Sequence, residues 1–322
     1  MPSAVTRAAP CRYARPMTTM VGEALRAATR RLAAGEGAAA LSAGSDAEEL
    51  LSRLLGVVRG DLRVRAGDAL PAELERELDR QLARRLAGEP VQYITGRAAF
   101  RSLDLAVDPR VLIPRPETEW LVEAVLEYLA DGARSARAPR ILDLGTGSGC
   151  IALAIAQEHP HAEVVATDAS EGALDVARAN AESLGLAHRV SFMRGEWLAA
   201  VPSDERFDVI VSNPPYIARR EARALPGDVH DWEPHAALFG GDDGLVDLRE
   251  IMEDAPRHLR AGGLLALEVD ESRAGEIAGW FEGARDWRAV EVRPDLAGRP
   301  RVLLARREHG PAIAPAQWGE EG

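Results

Sequence analysis

Asp143-Leu144-Gly145-Thr146-Gly147-Ser148-Gly149 ends the short apolar run Arg140–Leu144 and opens a helical pattern, Cys150–Gln157. Three glycines at alternate positions let the main chain turn sharply and leave it bare for a ligand to lie against. A strand, a glycine turn and a helix, in that order, form the place where an open α/β sheet takes nucleotide-like ligands. The spacing is G-x-G-x-G, which differs from the G-x-G-x-x-G of a dinucleotide fingerprint, whose free helix N-terminus receives a pyrophosphate. The carboxylate of Asp143 directly before the turn would repel a diphosphate. It suits instead the cationic sulfonium and ammonium groups of S-adenosylmethionine. Asp168, at the end of the next apolar run, stands where an acid accepts ribose hydroxyls. Gly145, Thr146, Gly147, Ser148, Gly149 and Asp168 are therefore the candidate cofactor-binding residues. A glycine turn that serves packing alone is the competing reading, and the flanking acids count against it.

Working outward, strands and helices alternate. Glu163–Thr167 reads as a strand, Glu171–Leu184 as a helix, Val190–Met193 and Phe207–Ser212 as strands, Leu245–Leu259 as a helix and Leu264–Val269 as a strand. Alternation of this kind specifies a mostly parallel sheet with helices on both faces. Trp287–Val292 and Val302–Ala305 have no helix between them, which predicts an antiparallel edge. The fold class is thus α/β, a Rossmann-like sheet of the class I S-adenosylmethionine methyltransferase kind. Ahead of it stands a small helical bundle. Val21–Ala34 carries spaced apolar residues, and Ser45 with Glu48 reads as a capping box before Leu50, Leu51, Leu54 and Leu55. Pro71 suits a first helical turn before Leu74, Leu78, Leu82 and Leu86, and Gly88 and Pro90 end that helix. Alternating Leu103, Leu105 and Val107, with Gly96 and Asp108-Pro109, predict a hairpin linking the two parts. The expected organisation is an extension at 1–19, a helical domain at 20–90, a linking hairpin at 91–112, a catalytic domain at 113–306 and a loose tail at 307–322.

The net charge is −12 and unevenly placed. Residues 1–90 carry 14 basic residues against 12 acidic ones, whereas the remainder carries 25 against 39. Nucleic-acid binding draws most of its affinity from clustered positive charge on phosphates, so the acidic catalytic part argues against a duplex as main substrate. Cys11 and Cys150 have no metal-ligand spacing, nor do the seven histidines, and no metal is expected. A reduced cytoplasmic pair of thiols is the expectation. No run of about 20 apolar residues could span a membrane. Arg7, Arg12 and Arg15 without an acid before Glu23 give the start a transit-peptide flavour, but Met17 and Met20 both offer later starts.

Ser212-Asn213-Pro214-Pro215-Tyr216 follows the strand Phe207–Ser212. Two successive prolines cannot continue a ladder, so the chain leaves the sheet in a stiff, extended form on the cofactor edge. A planar –NH2 group that donates one hydrogen to Asn213 and the other to the Pro214 carbonyl has its nitrogen aimed at a methyl donor. Both acceptors favour the positive charge that develops as the nitrogen loses conjugation. Tyr216 supplies a flat face, and no strong base is required before the methyl moves. Asn213, Pro214, Pro215 and Tyr216 are the candidate catalytic residues, with Asn213 also at the cofactor edge.

Further stretches narrow the choice. Gly88-Glu89-Pro90-Val91-Gln92-Tyr93-Ile94-Thr95-Gly96, Phe100, Leu112-Ile113-Pro114-Arg115-Pro116-Glu117-Thr118-Glu119, Glu233-Pro234 with Leu238, and Asp295-Leu296-Ala297-Gly298-Arg299 join the Asn213–Tyr216 corner. Together, across about Val21 to Arg306, they resemble the HemK/PrmC family. The resemblance implies methylation of the glutamine amide of the Gly-Gly-Gln tripeptide in class-I peptide chain release factors, with S-adenosylmethionine as cofactor. It implies that Trp197 lies beside the adenine and that the helical domain docks the release factor; on its residues alone Trp197 reads equally well as core. A monomer in the cytoplasm is expected. Val269-Asp270-Glu271 departs from the family, which carries a glycine soon after the Leu-Glu that Leu267-Glu268 matches. Arg115 and Glu119, four apart, read as an ion pair at the hinge. Two other functions remain in view. An N6-adenine-type nucleic-acid methyltransferase would use the same corner on a flipped base but calls for a basic recognition domain. A cofactor-binding adaptor without activity would have no need of an intact Asn213–Tyr216.

Overall fold

The computed structural model describes residues 19–130 and 138–308. The extension up to Thr18, with Met17 and Cys11, and the tail beyond Glu308 lie outside the described residues. The chain divides into two compact units, with the boundary between Thr95 and Gly96.

The first unit is helical: α1 (Val21–Ala33), α2 (Gly37–Leu41), α3 (Ala43–Leu55), α4 (Asp61–Val64), α5 (Ala72–Leu86) and α6 (Val91–Thr95). Its core gathers Leu32, Leu50, Leu51, Leu62, Leu78 and Leu82. Leu86, the last of the i, i+4 series, lies 38% exposed. The expected capping box does not form, because Ser45 lies inside α3 and no side-chain hydrogen bond caps that helix. Ser42, not Ser45, precedes α3, and its hydroxyl donates to the Asp46 carboxylate at 2.6 Å. Asp46 in turn accepts from Arg85 Nε at 2.6 Å, a buried ion pair that ties α3 to α5. Val91–Thr95, grouped with the hairpin by its sequence, is instead a helical turn that starts after Pro90, and Thr95 Oγ1 donates back to the Val91 carbonyl at 3.0 Å.

The second unit opens with the hairpin of β1 (Arg97–Phe100) and β2 (Leu103–Ala106), followed by α7 (Thr118–Ala130). Then come β3 (Arg140–Leu144), α8 (Cys150–Glu158), β4 (Glu163–Asp168), α9 (Glu171–Ser183), β5 (Val190–Arg194) and β6 (Phe207–Ser212). The short α10 (Gly227–His230), α11 (Val246–His258), β7 (Leu259–Glu268), α12 (Ala274–Phe281), β8 (Trp287–Pro294) and β9 (Pro300–Arg307) complete it. The seven-stranded sheet runs β5-β4-β3-β6-β7-β9-β8. β3 pairs in parallel with both β4 and β6, and the antiparallel edge is made by β9 and β8. Period-2 alternation sends Ile141, Val209 and Val211 into one apolar layer and Leu142, Leu144 and Ile210 into the other. Both faces are covered, as parallel strands require.

Two helices, α7 and α12, have no counterpart in the sequence pattern. Leu121, Val122, Ala124, Val125, Tyr128 and Leu129 of α7 are all buried. Those six share one face at i, i+3, i+4 and i+7 spacing, but Trp120, Leu126 and Ala130 carry apolar residues to the other side and blur the periodicity that marks a helix in sequence. Strand β7 begins at Leu259, five residues before its expected start; the ladder opens at Phe207–Leu259 and passes Gly262 and Gly263 through an irregularity before the regular pairing resumes at Leu264.

Candidate functional site

Strand register assembles the site. Thr167 pairs with Leu144, Leu144 with Ser212, and Ser212 with Leu267. One residue further along each strand, Asp168, Gly145, Asn213 and Glu268 therefore stand abreast at the carboxyl ends. Neighbouring strands lie about 4.8 Å apart, so the row is on the order of 15 Å long. It straddles β3, from which the chain order departs in both directions, the switch point where open sheets bind ligands. Ser212 Oγ donates to the Leu144 carbonyl at 2.8 Å and locks the two central exits together.

The glycine turn is built on positive φ at Gly145, Gly147 and Gly149, of 70°, 56° and 83°. Asp143 supports it from beneath, contrary to the expectation that its charge faces the cofactor. Its side chain is fully buried; Oδ2 accepts from Thr146 Oγ1 at 2.6 Å and from the Ala152 N–H at 3.2 Å, while Oδ1 has no hydrogen-bond partner among the described residues. Burial pushes its carboxyl up to about 7 from an ordinary value of 3.8, against the pull of the Thr146 and Ala152 hydrogen bonds. The folded form holds this proton more tightly than the unfolded chain. Its contribution to stability is thus fully present below about pH 4 and is lost as pH rises to about 7. Asp143→Asn is expected to shift stability in the variant's favour progressively across that window and by a constant amount above it. Thermal melts of cofactor-free protein between about pH 4 and pH 8 check this, and a pH-independent difference would refute it.

Above the turn the surroundings fit a nucleoside. The Trp197 ring lies against Gly145, where a Cβ would approach it to 3.3 Å, and a Cβ on Gly147 would meet nothing within 4 Å. Trp197 takes φ 41°, strained for a non-glycine residue, and its indole N–H donates to Asp247 Oδ1 at 3.2 Å. Asp168 Oδ2 accepts from the Gly147 N–H and Oδ1 from the Ser170 N–H, both at 2.9 Å. Each oxygen keeps a lone pair for a hydroxyl. Burial raises the Asp168 carboxyl above its usual range. Thr146 and Ser148 are both buried; the Thr146 hydroxyl serves Asp143, and the Ser148 carbonyl accepts from Asn180 Nδ2 at 2.9 Å. The Thr146 side chain therefore shapes the turn from within, whereas Ser148 holds it through its main chain.

The corner after β6 is packed against the segment that precedes α11. Gly240 and Gly244 press on it: a Cβ on Gly240 would collide with the Pro215 carbonyl, and one on Gly244 with the Tyr216 carbonyl. Glu233, buried, accepts from the Ile113 N–H at 3.2 Å and from Arg115 at 2.5 Å. Arg115 therefore pairs with Glu233 rather than with Glu119, whose carboxylate is taken by the Arg101 N–H at the hairpin turn, 2.8 Å away. Beside Pro214 and Tyr216 opens a cavity of about 250 Å³, lined among others by Leu112, Ile217, Leu225, Val229 and Leu238.

Two residues that the sequence places in family stretches without assigning them a role, Thr118 and Glu268, complete the corner. Asn213 Nδ2 donates to Thr118 Oγ1 at 3.1 Å, and Thr118 Oγ1 donates to Glu268 Oε2 at 2.7 Å. The Tyr216 hydroxyl reaches Glu268 Oε1 at 3.4 Å. Burial pushes Glu268 up to about 7, opposed by the Thr118 hydrogen bond and the Arg301 charge. In the sequence Glu268 is marked by the Leu267-Glu268 match to the family and by standing as a carboxylate at the end of the apolar run Leu264–Leu267. The departure after it is absorbed: Val269 is buried and its N–H donates to the Arg301 carbonyl at 2.9 Å.

Among the described residues no group of three or more His, Cys, Asp or Glu side chains could hold a metal ion. No helix among them is long and apolar enough to cross a membrane.

Residues 122–225 match the methyltransferase small domain family, and residues 23–96 the PrmC N-terminal domain. A release factor glutamine methyltransferase of Cereibacter sphaeroides is 44% identical over 285 residues, covering 88% of this chain and 97% of the relative. One of Moorella thermoacetica is 43% identical over 285 residues, with 87% and 99% covered. A methyltransferase structure from Pyrococcus furiosus resembles the chain with a TM-score of 0.48 at 22% identity, covering 71% of this chain and 98% of the other. Identity of the level shared with the first two, over nearly the whole of both chains, places this protein in the release factor glutamine methyltransferase family.

Proposed function

We propose that this chain transfers a methyl group from S-adenosylmethionine to the side-chain amide nitrogen of the glutamine in the Gly-Gly-Gln tripeptide of class-I peptide chain release factors. The observation that carries the reading is the register that sets Gly145 and Asn213 side by side, so that a nucleoside on the glycine turn and an amide at the corner face each other. The cofactor would be held by Gly145–Gly149, by Asp168 at the ribose and by Trp197 beside the adenine. Its chemistry is a sulfonium methyl open to in-line attack. Asn213 Oδ1 and the Pro214 carbonyl accept the two amide hydrogens and fix the nitrogen on that line. Pro215 keeps the corner extended and Tyr216 backs the planar group. The same acceptors strengthen their hold as positive charge grows on the nitrogen, which lowers the barrier rather than the ground state. The surplus amide proton leaves to solvent afterwards. The helical unit, which ends at Thr95, is the docking domain for the release factor; its match to the PrmC N-terminal domain supports that assignment.

Labelled S-adenosylmethionine with purified release factor, with a copy carrying Gln→Asn in Gly-Gly-Gln, and with DNA forms the test. Label is expected on the intact factor only. Label on DNA alone would overturn the reading in favour of the N6-adenine alternative.

A further inference from the structure

We infer that Glu268 is a positioning residue: acting through Thr118, it fixes which end of the Asn213 side-chain amide faces the substrate. This rests on the function proposed above and goes beyond it. An asparagine amide has an oxygen and an NH2 of nearly equal shape, so packing alone does not choose between its two orientations. Only one is competent here, because the substrate amide brings donors and needs an acceptor. The choice is made by counting hydrogens. In its ionised form Glu268 has none to give, and its Oε2 takes the single hydrogen of Thr118 Oγ1 at 2.7 Å. With that hydrogen committed, Thr118 Oγ1 can only accept, and the group it accepts from is Asn213 Nδ2 at 3.1 Å. Oδ1 is thereby turned to the open side of the corner.

The other neighbours of Glu268 reinforce the same polarity. Tyr216 approaches Oε1 through its hydroxyl, and the Arg301 charge works against the burial that raises the carboxyl to about 7, so the relay has this polarity on the alkaline side of that value. Thr118 and Glu268 are both buried, 2% and 1% exposed, so water does not substitute for either partner. An unsatisfied group in such a place is costly, which is what makes the direction of the chain enforceable.

The test uses two pairs of variants in the full-length protein, with release factor methylation and S-adenosylmethionine affinity measured in parallel. Thr118→Val removes the hydroxyl at nearly constant shape and is expected to lower kcat by about 10²-fold, the scale of a misplaced reacting group, with cofactor affinity and KM for the release factor unchanged. Thr118→Ser, which keeps the hydroxyl, restores kcat. The second pair reverses the polarity. Asn213→Asp puts an acceptor where Thr118 needs a donor, and is expected to be inactive. Adding Glu268→Gln lets the glutamine amide donate to Thr118 Oγ1. The threonine hydrogen is then free for the introduced carboxylate, which settles back into its place at the corner. Activity of the double variant is expected to rise about 10-fold over Asn213→Asp alone, the equivalent of one regained hydrogen bond. A residue that merely fills space gives no such rescue. Wild-type kcat in Thr118→Val, loss of cofactor affinity in that variant, or no gain from Glu268→Gln would each overturn the inference. Wild-type protein serves as the control for the function itself: no transfer there refutes the proposed reaction, whereas transfer there with an indifferent Thr118→Val refutes the relay alone.

Discussion

Asn213→Ala is expected to lower kcat on the order of 10²–10³-fold, the loss seen when one preorganised transition-state hydrogen-bonding group is removed. S-adenosylmethionine affinity should be retained. The side chain is half-buried, and among the described residues its hydrogen bond to another side chain goes to Thr118. The truncation therefore takes away an acceptor for the substrate and little of the core. The glycine turn and Asp168 sit on β3 and β4 and keep their hydrogen bonds. Thermal melting and cofactor titration of the variant, beside single-turnover methylation of release factor, check the separation. Normal turnover would remove Asn213 from the chemistry.

Gly240→Ala is the second large effect, and it arises at a residue that makes no chemical contribution of its own. Its added Cβ meets the Pro215 carbonyl, the Gly244 carbonyl and the Pro215 carbonyl carbon. None of these is the end of a flexible side chain. The backbone of the corner must move, and the strain is about 1–3 kcal/mol of stability. A displacement approaching 1 Å at the amide acceptors costs about 10²-fold in rate. The expected signature is a fall in kcat for release factor larger than any change in cofactor affinity. An unaltered kcat would mean that the segment after α10 yields freely and does not brace the corner.

The central sheet is legible because its strands are short, buried on both faces and separated by helices of ordinary length. Arg140–Leu144 and Phe207–Ser212 run between the expected residues. Periodicity fails at α7, whose apolar residues surround the axis, and at the start of β7, where the ladder passes two glycines through an irregularity. The glycine turn and the Asn-Pro-Pro-Tyr corner are local in sequence, so their conformational demands can be read from a few residues. What a local pattern does not carry is long-range. Thr118 lies 95 residues before Asn213 and 150 before Glu268, and only the folded sheet brings the three together. Charge arithmetic misleads in a related way: Asp143 has the sign suited to a sulfonium but is sealed below the turn, and Arg115 finds Glu233 across 118 residues rather than its helical neighbour.

The absence of N–H groups on Pro214 and Pro215 sets what the corner can tolerate. The Asn213 side chain turns its own N–H inward to Thr118. The polar atoms these residues offer outward are oxygens. A deamidated substrate, glutamate in place of glutamine, has nearly the same outline but presents oxygens in return. Facing acceptors with acceptors leaves every one of them unpaired, and sites that must pair a missing N–H reject such analogues by about 10⁴–10⁵. A release factor carrying glutamate at that position is therefore expected to compete poorly with the amide form for the corner, which weak inhibition of methylation by the deamidated factor would check.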